Sequence, residues 1–169
     1  FLRMGRALEP LDLEWLEVDN FDATALAQLR AGTTTPIASC ETLTGMRQLR
    51  PFLDHQSVDV VIIDAMYNGI LESLRMAALS DAFEINVASH NYSGPIGTLI
   101  TAAFCGVVPN FRVMEIDNVQ VPWAYDFLTE KPVIENGCMT LLPGLGWGAD
   151  VNEDAVKEHP PIVEKSGLV

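Results

Sequence analysis

The sequence predicts an α/β fold of successive strand–helix units around a parallel sheet. Three observations carry that expectation: five short apolar runs each end in an ionisable residue, those endpoints recur every 23 to 26 residues, and the segments between them have helical spacing. A period near 25 residues suits one strand, one crossover helix and two short loops. The runs also lack clean apolar–polar alternation, as do strands buried on both faces.

The first strand is expected in Leu13-Glu14-Trp15-Leu16, ending at Glu17. Asp22 is a good helix N-cap, and the helix it opens passes through Leu26 and Arg30 to a stop at Gly32. A second strand, Pro36-Ile37-Ala38-Ser39-Cys40, ends at Glu41; Met46, Leu49 and Leu53 then share one face of a helix over 45–53. The third, Val58-Asp59-Val60-Val61-Ile62-Ile63, ends at Asp64 and precedes a helix over 70–83 with Ile70, Leu71, Leu74, Ala77, Ala78 and Phe83 on its apolar face. The fourth, Ile85-Asn86-Val87-Ala88-Ser89, ends at His90. The helix over 95–108 that follows is apolar nearly all round, as one packed on both sides would be. The fifth, Phe111-Arg112-Val113-Met114, ends at Glu115.

In parallel barrels, side chains at the carboxyl ends of strands converge on one mouth, where such folds keep their chemistry. Glu17, Glu41, Asp64, His90 and Glu115 all stand at such ends. An open doubly wound sheet would gather them too, but usually with a glycine-rich phosphate loop. Gly144-Leu145-Gly146-Trp147-Gly148 is not that loop: Asp150 stands where a third glycine is needed, and no strand precedes it. It reads as a turn. No GxSxG, HExxH or Walker pattern occurs, so nucleophile elbows, zincins and P-loops have no support.

With 169 residues, 49% of them hydrophobic, the chain suits one domain with a sizeable core. A net charge of −13 disfavours nucleic acid and anionic lipid as partners. The longest apolar stretch, 96–108, is 13 residues and too short to span a bilayer. Cys40, Cys105 and Cys138 lack CxxC spacing and are expected as reduced core thiols, which with the missing signal sequence suggests a cytoplasmic location. His55 and His159 are expected at the surface. The opening Phe1-Leu2-Arg3-Met4-Gly5-Arg6 has no initiating methionine and reads as a cut through a longer protein.

The strand ends Trp15-Leu16-Glu17, Ile37-Ala38-Ser39-Cys40-Glu41, Ile63-Asp64-Ala65-Met66, Ala88-Ser89-His90-Asn91 and Met114-Glu115-Ile116-Asp117 resemble, in order and spacing, strands four to eight of a known barrel. That barrel belongs to the mandelate racemase/muconate lactonizing enzyme group of the enolase superfamily. The segment from Leu142-Pro143-Gly144 to Asn152-Glu153 is similar to the group's closing glycine-rich turn and short acidic helix. The resemblance covers about residues 7–155 and implies the carboxyl-terminal part of a TIM-type (β/α) barrel. Residues 1–118 would form the partial barrel, and 119–169 a C-terminal segment packing on it and contributing to the cap.

By that resemblance, Glu17 and Glu41 would be two of three carboxylates holding Mg²⁺, a hard ion that prefers oxygen ligands. Asp64 and His90 would form a dyad, the carboxylate fixing the imidazole tautomer and raising its pKa. Glu115 would stand across from the metal and donate to a substrate carboxylate. The implied reaction abstracts the proton alpha to a carboxylate through an enediolate. His90-Asn91-Tyr92-Ser93-Gly94-Pro95 and Pro109-Asn110-Phe111 are nearer to acid-sugar dehydratases, with a racemase or epimerase as the alternative. A non-catalytic barrel fragment that assembles with another chain is the reading from a different class.

A complete barrel of this type has ~250 residues, so the first three strands, the third metal ligand and a second base have no counterpart here. Val18-Asp19-Asn20 also departs from the group's usual acid and proline after the first metal ligand. The expected partners are a small carboxylate or sugar-acid substrate and either further copies of the chain or a missing N-terminal segment.

Overall fold

The computed structural model describes residues 1–117 and 121–160. Helix α1 (Leu2–Leu8) leads to β1 (Leu16–Glu17), α2 (Ala23–Ala31), β2 (Ile37–Ser39), α3 (Gly45–Asp54), β3 (Val60–Asp64), α4 (Ala65–Asp81), β4 (Asn86–His90), α5 (Gly94–Cys105) and β5 (Phe111–Met114). The five strands form one sheet in chain order, and every pairing is parallel. This is the α/β architecture the 25-residue period predicts.

Alternation along the strands sorts side chains onto two faces. Ile37, Val61, Ile63 and Val87 are buried in one cluster with the helical residues Leu26, Leu49, Phe52, Met76 and Phe104. Burying each such side chain stabilises the fold by about 1.5–3 kcal/mol, so the helical layer carries most of the stability. Ala38, Val60, Ile62 and Ala88 form a separate, smaller cluster on the opposite face with Trp15. Asp64 continues the Val60–Ile62 side and His90 the Ala88 side, which delivers both to the inner face. Leu16 and Met114 pack with the helical layer, so the next residues, Glu17 and Glu115, turn inward as well.

The sheet is curved. Arg112 on β5 pairs with Glu14, just ahead of β1. Laid flat, five strands spaced ~4.8 Å apart would hold those backbones ~19 Å from each other, beyond the joint reach of the two side chains. The strands therefore form an arc whose ends approach each other across the inner face.

Several expectations are corrected. The helix expected from residue 70 is present, but α4 opens with an additional turn over 65–68, because the Asp64 carboxylate accepts from the Met66 and Tyr67 N–H groups and caps it. Gly69 then interrupts the helix at φ 69°, ψ 157°, a backbone conformation glycine takes at no steric cost. Cys40 and Cys105 are buried and their thiols pushed up by burial, that of Cys105 to about 11, so both stay protonated. Cys138, expected in the core, is exposed: it opens β7 (Cys138–Met139), which pairs only with β6 (Ile134–Glu135), itself exposed. His55 is exposed as expected, but His159 is half-buried and stacked on Trp123 with ring centroids 3.9 Å apart.

The expected boundary at 118/119 lies outside the described residues. Met139, Leu141, Leu142 and Trp147 of the tail face Leu99, Ala102 and Ala103 of α5 across a small pocket. It ends in α6 (Glu153–Glu158), capped by the Asn152 side chain. Residues 144–148 form the expected turn, in which Gly148 has φ 80° and any Cβ would lie 2.4 Å from that of Leu142. Among the described residues, no helix is long and apolar enough to cross a membrane.

Candidate active site

Parallel pairing of β3 with β4 sets Asp64 directly beside His90. Asp64 is buried, with its side chain 1% exposed, and its Oδ2 lies 2.7 Å from His90 Nδ1. Its other oxygen receives the Met66 and Tyr67 amides at 2.6 and 2.8 Å. With Oδ2 accepting from the ring, His90 carries a proton on Nδ1 and turns Nε2 to the mouth. The Tyr67 ring, 6.0 Å from the imidazole, forms one wall.

Two further carboxylates meet Nε2. Glu41 Oε1 lies 3.3 Å from it and Glu115 Oε2 3.9 Å. Glu41 arrives by a break in alternation: β2 stops at Ser39, and Cys40, at φ 89°, is turned into the helical layer instead of the inner face. A non-glycine residue there is strained, and such strain concentrates at functional sites. Glu115 follows the end of β5, and its Oε2 accepts the Asn91 backbone N–H at 3.0 Å. Glu41, Asp64, His90 and Glu115 are thus brought together from four strand ends. Glu17 stands at the β1 edge, exposed as a residue but with its carboxyl partly withdrawn from water, within electrostatic reach of Glu41 and Glu115.

The field at the mouth is negative. Burial, then the Glu41 charge, raise the Glu17 carboxyl above the usual carboxylate range, against a hydrogen bond from Trp15. Burial raises Glu41 too; His90 opposes this, while Asp19, Glu115 and Asp64 add to it. For His90 the largest influence, burial, pushes down, but the Asp64 hydrogen bond and the charges of Glu41, Glu115 and Asp64 outweigh it, and its pKa is raised. Glu17 and Glu41 offer the oxygen donors that a hard divalent cation prefers. Among the described residues, however, no three His, Cys, Asp or Glu groups are arranged to hold a metal ion.

Asp19, Tyr67, Asn91 and the strained Cys40 are parts of the site that the spacing of strand ends does not single out. Asp19 lies two residues past Glu17, in the loop already noted as unusual. Asn91 directly follows His90, and only its burial distinguishes it from an ordinary loop residue.

A D-xylonate dehydratase of Haloferax volcanii is 35% identical over 162 residues, an overlap covering 93% of this chain and 39% of that protein. A Burkholderia xenovorans protein assigned as an L-alanine-DL-glutamate epimerase, solved bound to magnesium and fumarate, superposes with a TM-score of 0.91 at 42% identity, over 96% of this chain and 40% of that one. A mandelate racemase/muconate lactonizing enzyme-like protein of Rubrobacter xylanophilus gives 0.88 at 34% identity, over 95% and 42%. This chain therefore spans about two fifths of the length of these relatives. The model of the enolase C-terminal domain-like family matches residues 1–155, and with the five-strand arc and its inward strand ends the chain belongs to that family.

Proposed function

We propose that this chain forms the catalytic arc of an enzyme that abstracts the proton alpha to a carboxylate through an enediolate, and that the enzyme is an acid-sugar dehydratase. The observation that carries this reading is the Asp64–His90 dyad with Glu41 and Glu115 turned to the same ring nitrogen. Held by Asp64, the imidazole presents Nε2 to the mouth, where it holds the proton that a departing β-hydroxyl takes up, while the alpha proton goes to the second base that the rest of the barrel would supply. Glu115, when it carries a proton, would donate to a substrate carboxylate oxygen as charge gathers there. The kinship with a D-xylonate dehydratase supports an aldonic acid as substrate.

A racemase or epimerase is the second reading, favoured by the Burkholderia relative, in which Nε2 exchanges a proton with the alpha carbon instead. One experiment separates them. The enzyme, with this arc joined to the rest of its barrel, is incubated with five- and six-carbon aldonic acids and Mg²⁺ in D₂O and followed by proton NMR. Formation of a 2-keto-3-deoxy acid is expected. Deuterium exchange at the alpha carbon without loss of water would mean the isomerase, and neither change would leave a barrel segment whose work is assembly.

Glu17 and Glu41 would hold Mg²⁺, which when bound supplies positive charge to a substrate carboxylate. Two carboxylates make a weak site, so a calorimetric titration of this chain is expected to give a Kd no tighter than ~1 mM. Glu17→Gln is expected to raise the melting temperature of the metal-free chain, by relieving repulsion with Glu41, and to remove any Mg²⁺-dependent rise. Sub-micromolar binding, or a lower metal-free melting temperature in Glu17→Gln, would contradict this assignment. The free edges of β1 and β5 would be closed by further polypeptide, from an N-terminal segment or another copy, and the tail would contribute to the cap.

A further inference from the structure

Glu115 has a positional problem. Its side chain is 50% exposed and it follows the last strand residue, Met114, beyond a register shift between β4 and β5. A glutamate so placed would ordinarily sample several rotamers. Instead both its backbone and its carboxylate are held by one neighbour. The Asn91 backbone N–H donates to Glu115 Oε2 at 3.0 Å, and the Asn91 side-chain Nδ2 donates to the Glu115 carbonyl at 3.2 Å.

Asn91 is itself fixed. It is 1% exposed, and Nδ2 also donates to Thr98 Oγ1 on α5 at 3.0 Å. The Thr98 hydroxyl spends its proton on the Gly94 carbonyl at 3.0 Å, so toward Asn91 it can only accept. Both partners of Nδ2 are acceptors, and the amide has one workable orientation. Its Oδ1 is buried without a partner among the described residues. An apolar residue would avoid that penalty, so what Asn91 contributes is the donor pair.

We propose that Asn91, oriented by Thr98, is the positioning residue that sets the Glu115 carboxylate against His90 and the substrate, a role that rests on the dehydratase reading above. It touches neither substrate nor reacting atoms. Its side chain extends the β4–β5 ladder by one donor past the end of the strand, and its backbone amide then holds one Glu115 oxygen, leaving the other for the substrate.

The test is a double-mutant cycle for the acid sugar the protein turns over, paired with hydrogen exchange on the metal-free full chain. Asn91→Ala is expected to lower kcat about 10–100-fold with KM changed less than about threefold. In a Glu115→Gln background the same substitution should cost less than about threefold, because glutamine keeps the contacts to Asn91 but not the acid that they position. Equal losses in both backgrounds, or a loss falling on KM, would overturn the proposal. Thr98→Val, nearly the same shape, should speed exchange of the Asn91 amide at least about tenfold while β3 amides keep their rates; unchanged Asn91 exchange would equally overturn it. This second arm needs no substrate and serves where Asn91→Ala does not fold. Absence of turnover in the unmodified protein would count against the dehydratase reading, whereas unchanged exchange would count against the Asn91 network.

Discussion

Asn in place of His90 is expected to lower dehydration by about 10²–10⁴-fold while the melting temperature stays within about 2 °C of the unmodified protein. The reasoning is local. The asparagine Nδ2 can occupy the position of the imidazole Nδ1 and keep the hydrogen bond to Asp64 Oδ2, now 2.7 Å long. The inner face therefore keeps its packing and its buried carboxylate keeps its donor. Lost is Nε2, the one atom that Glu41 and Glu115 both face, at 3.3 and 3.9 Å. Product formation measured beside a thermal melt checks both halves. Turnover within tenfold of the original would remove His90 from the chemistry.

Asp64→Asn should cost activity on the same scale for a different reason. Asp64 does two jobs with two oxygens: one caps α4, and the other holds His90. Asparagine has one acceptor, and the Met66 and Tyr67 amides claim it. The NH₂ group then faces His90 Nδ1, which must become an acceptor, so the ring resists taking a second proton and Nε2–H belongs to a neutral imidazole, a far weaker acid toward the departing hydroxyl. Asp64→Ala removes the cap and the histidine's partner together and should destabilise the fold by about 2–4 kcal/mol.

The two variants also differ from the original chain in pH dependence. Because the folded value of His90 lies above its ordinary value, its stabilising contribution is fully present below about 6.5 and is lost as pH rises through the raised value. In metal-free buffer with a chelator, the melting temperature of the unmodified chain should fall across that window. In Asp64→Asn the fall should be shallower, since the hydrogen bond that raises His90 has gone.

The placement of strand ends was legible because an apolar run stopped by a charged residue is what a buried parallel strand ending at a mouth requires. Asp64 and His90 follow from that reading together with register. The geometry of Glu41 does not, since it depends on the left-handed turn at Cys40, where the side chain alone would suggest an ordinary strand residue. Asn91 was hidden for a related reason: its importance lies in which groups accept from it, and hydrogen-bond direction leaves no periodic trace. The extra turn over 65–68 was masked by Tyr67, Asn68 and Gly69, which interrupt the apolar pattern although Asp64 caps that turn. His159 and Cys138 were misplaced because tail packing owes nothing to the strand–helix repeat.

The pairing of Arg112 with Glu14 has a bearing on how the arc comes to exist. Its partners are 98 residues apart, so the chain between them must already be ordered before the contact can form cheaply. Four strand interfaces, each joining neighbours in sequence, do that ordering first. The pair is consequently a late event in assembly. Exposed on both sides, it adds about 1 kcal/mol at most and less in salt. It ties the starts of β1 and β5 together at the end of the arc opposite the mouth, where raising the ionic strength weakens the tie and leaves the sheet itself in place.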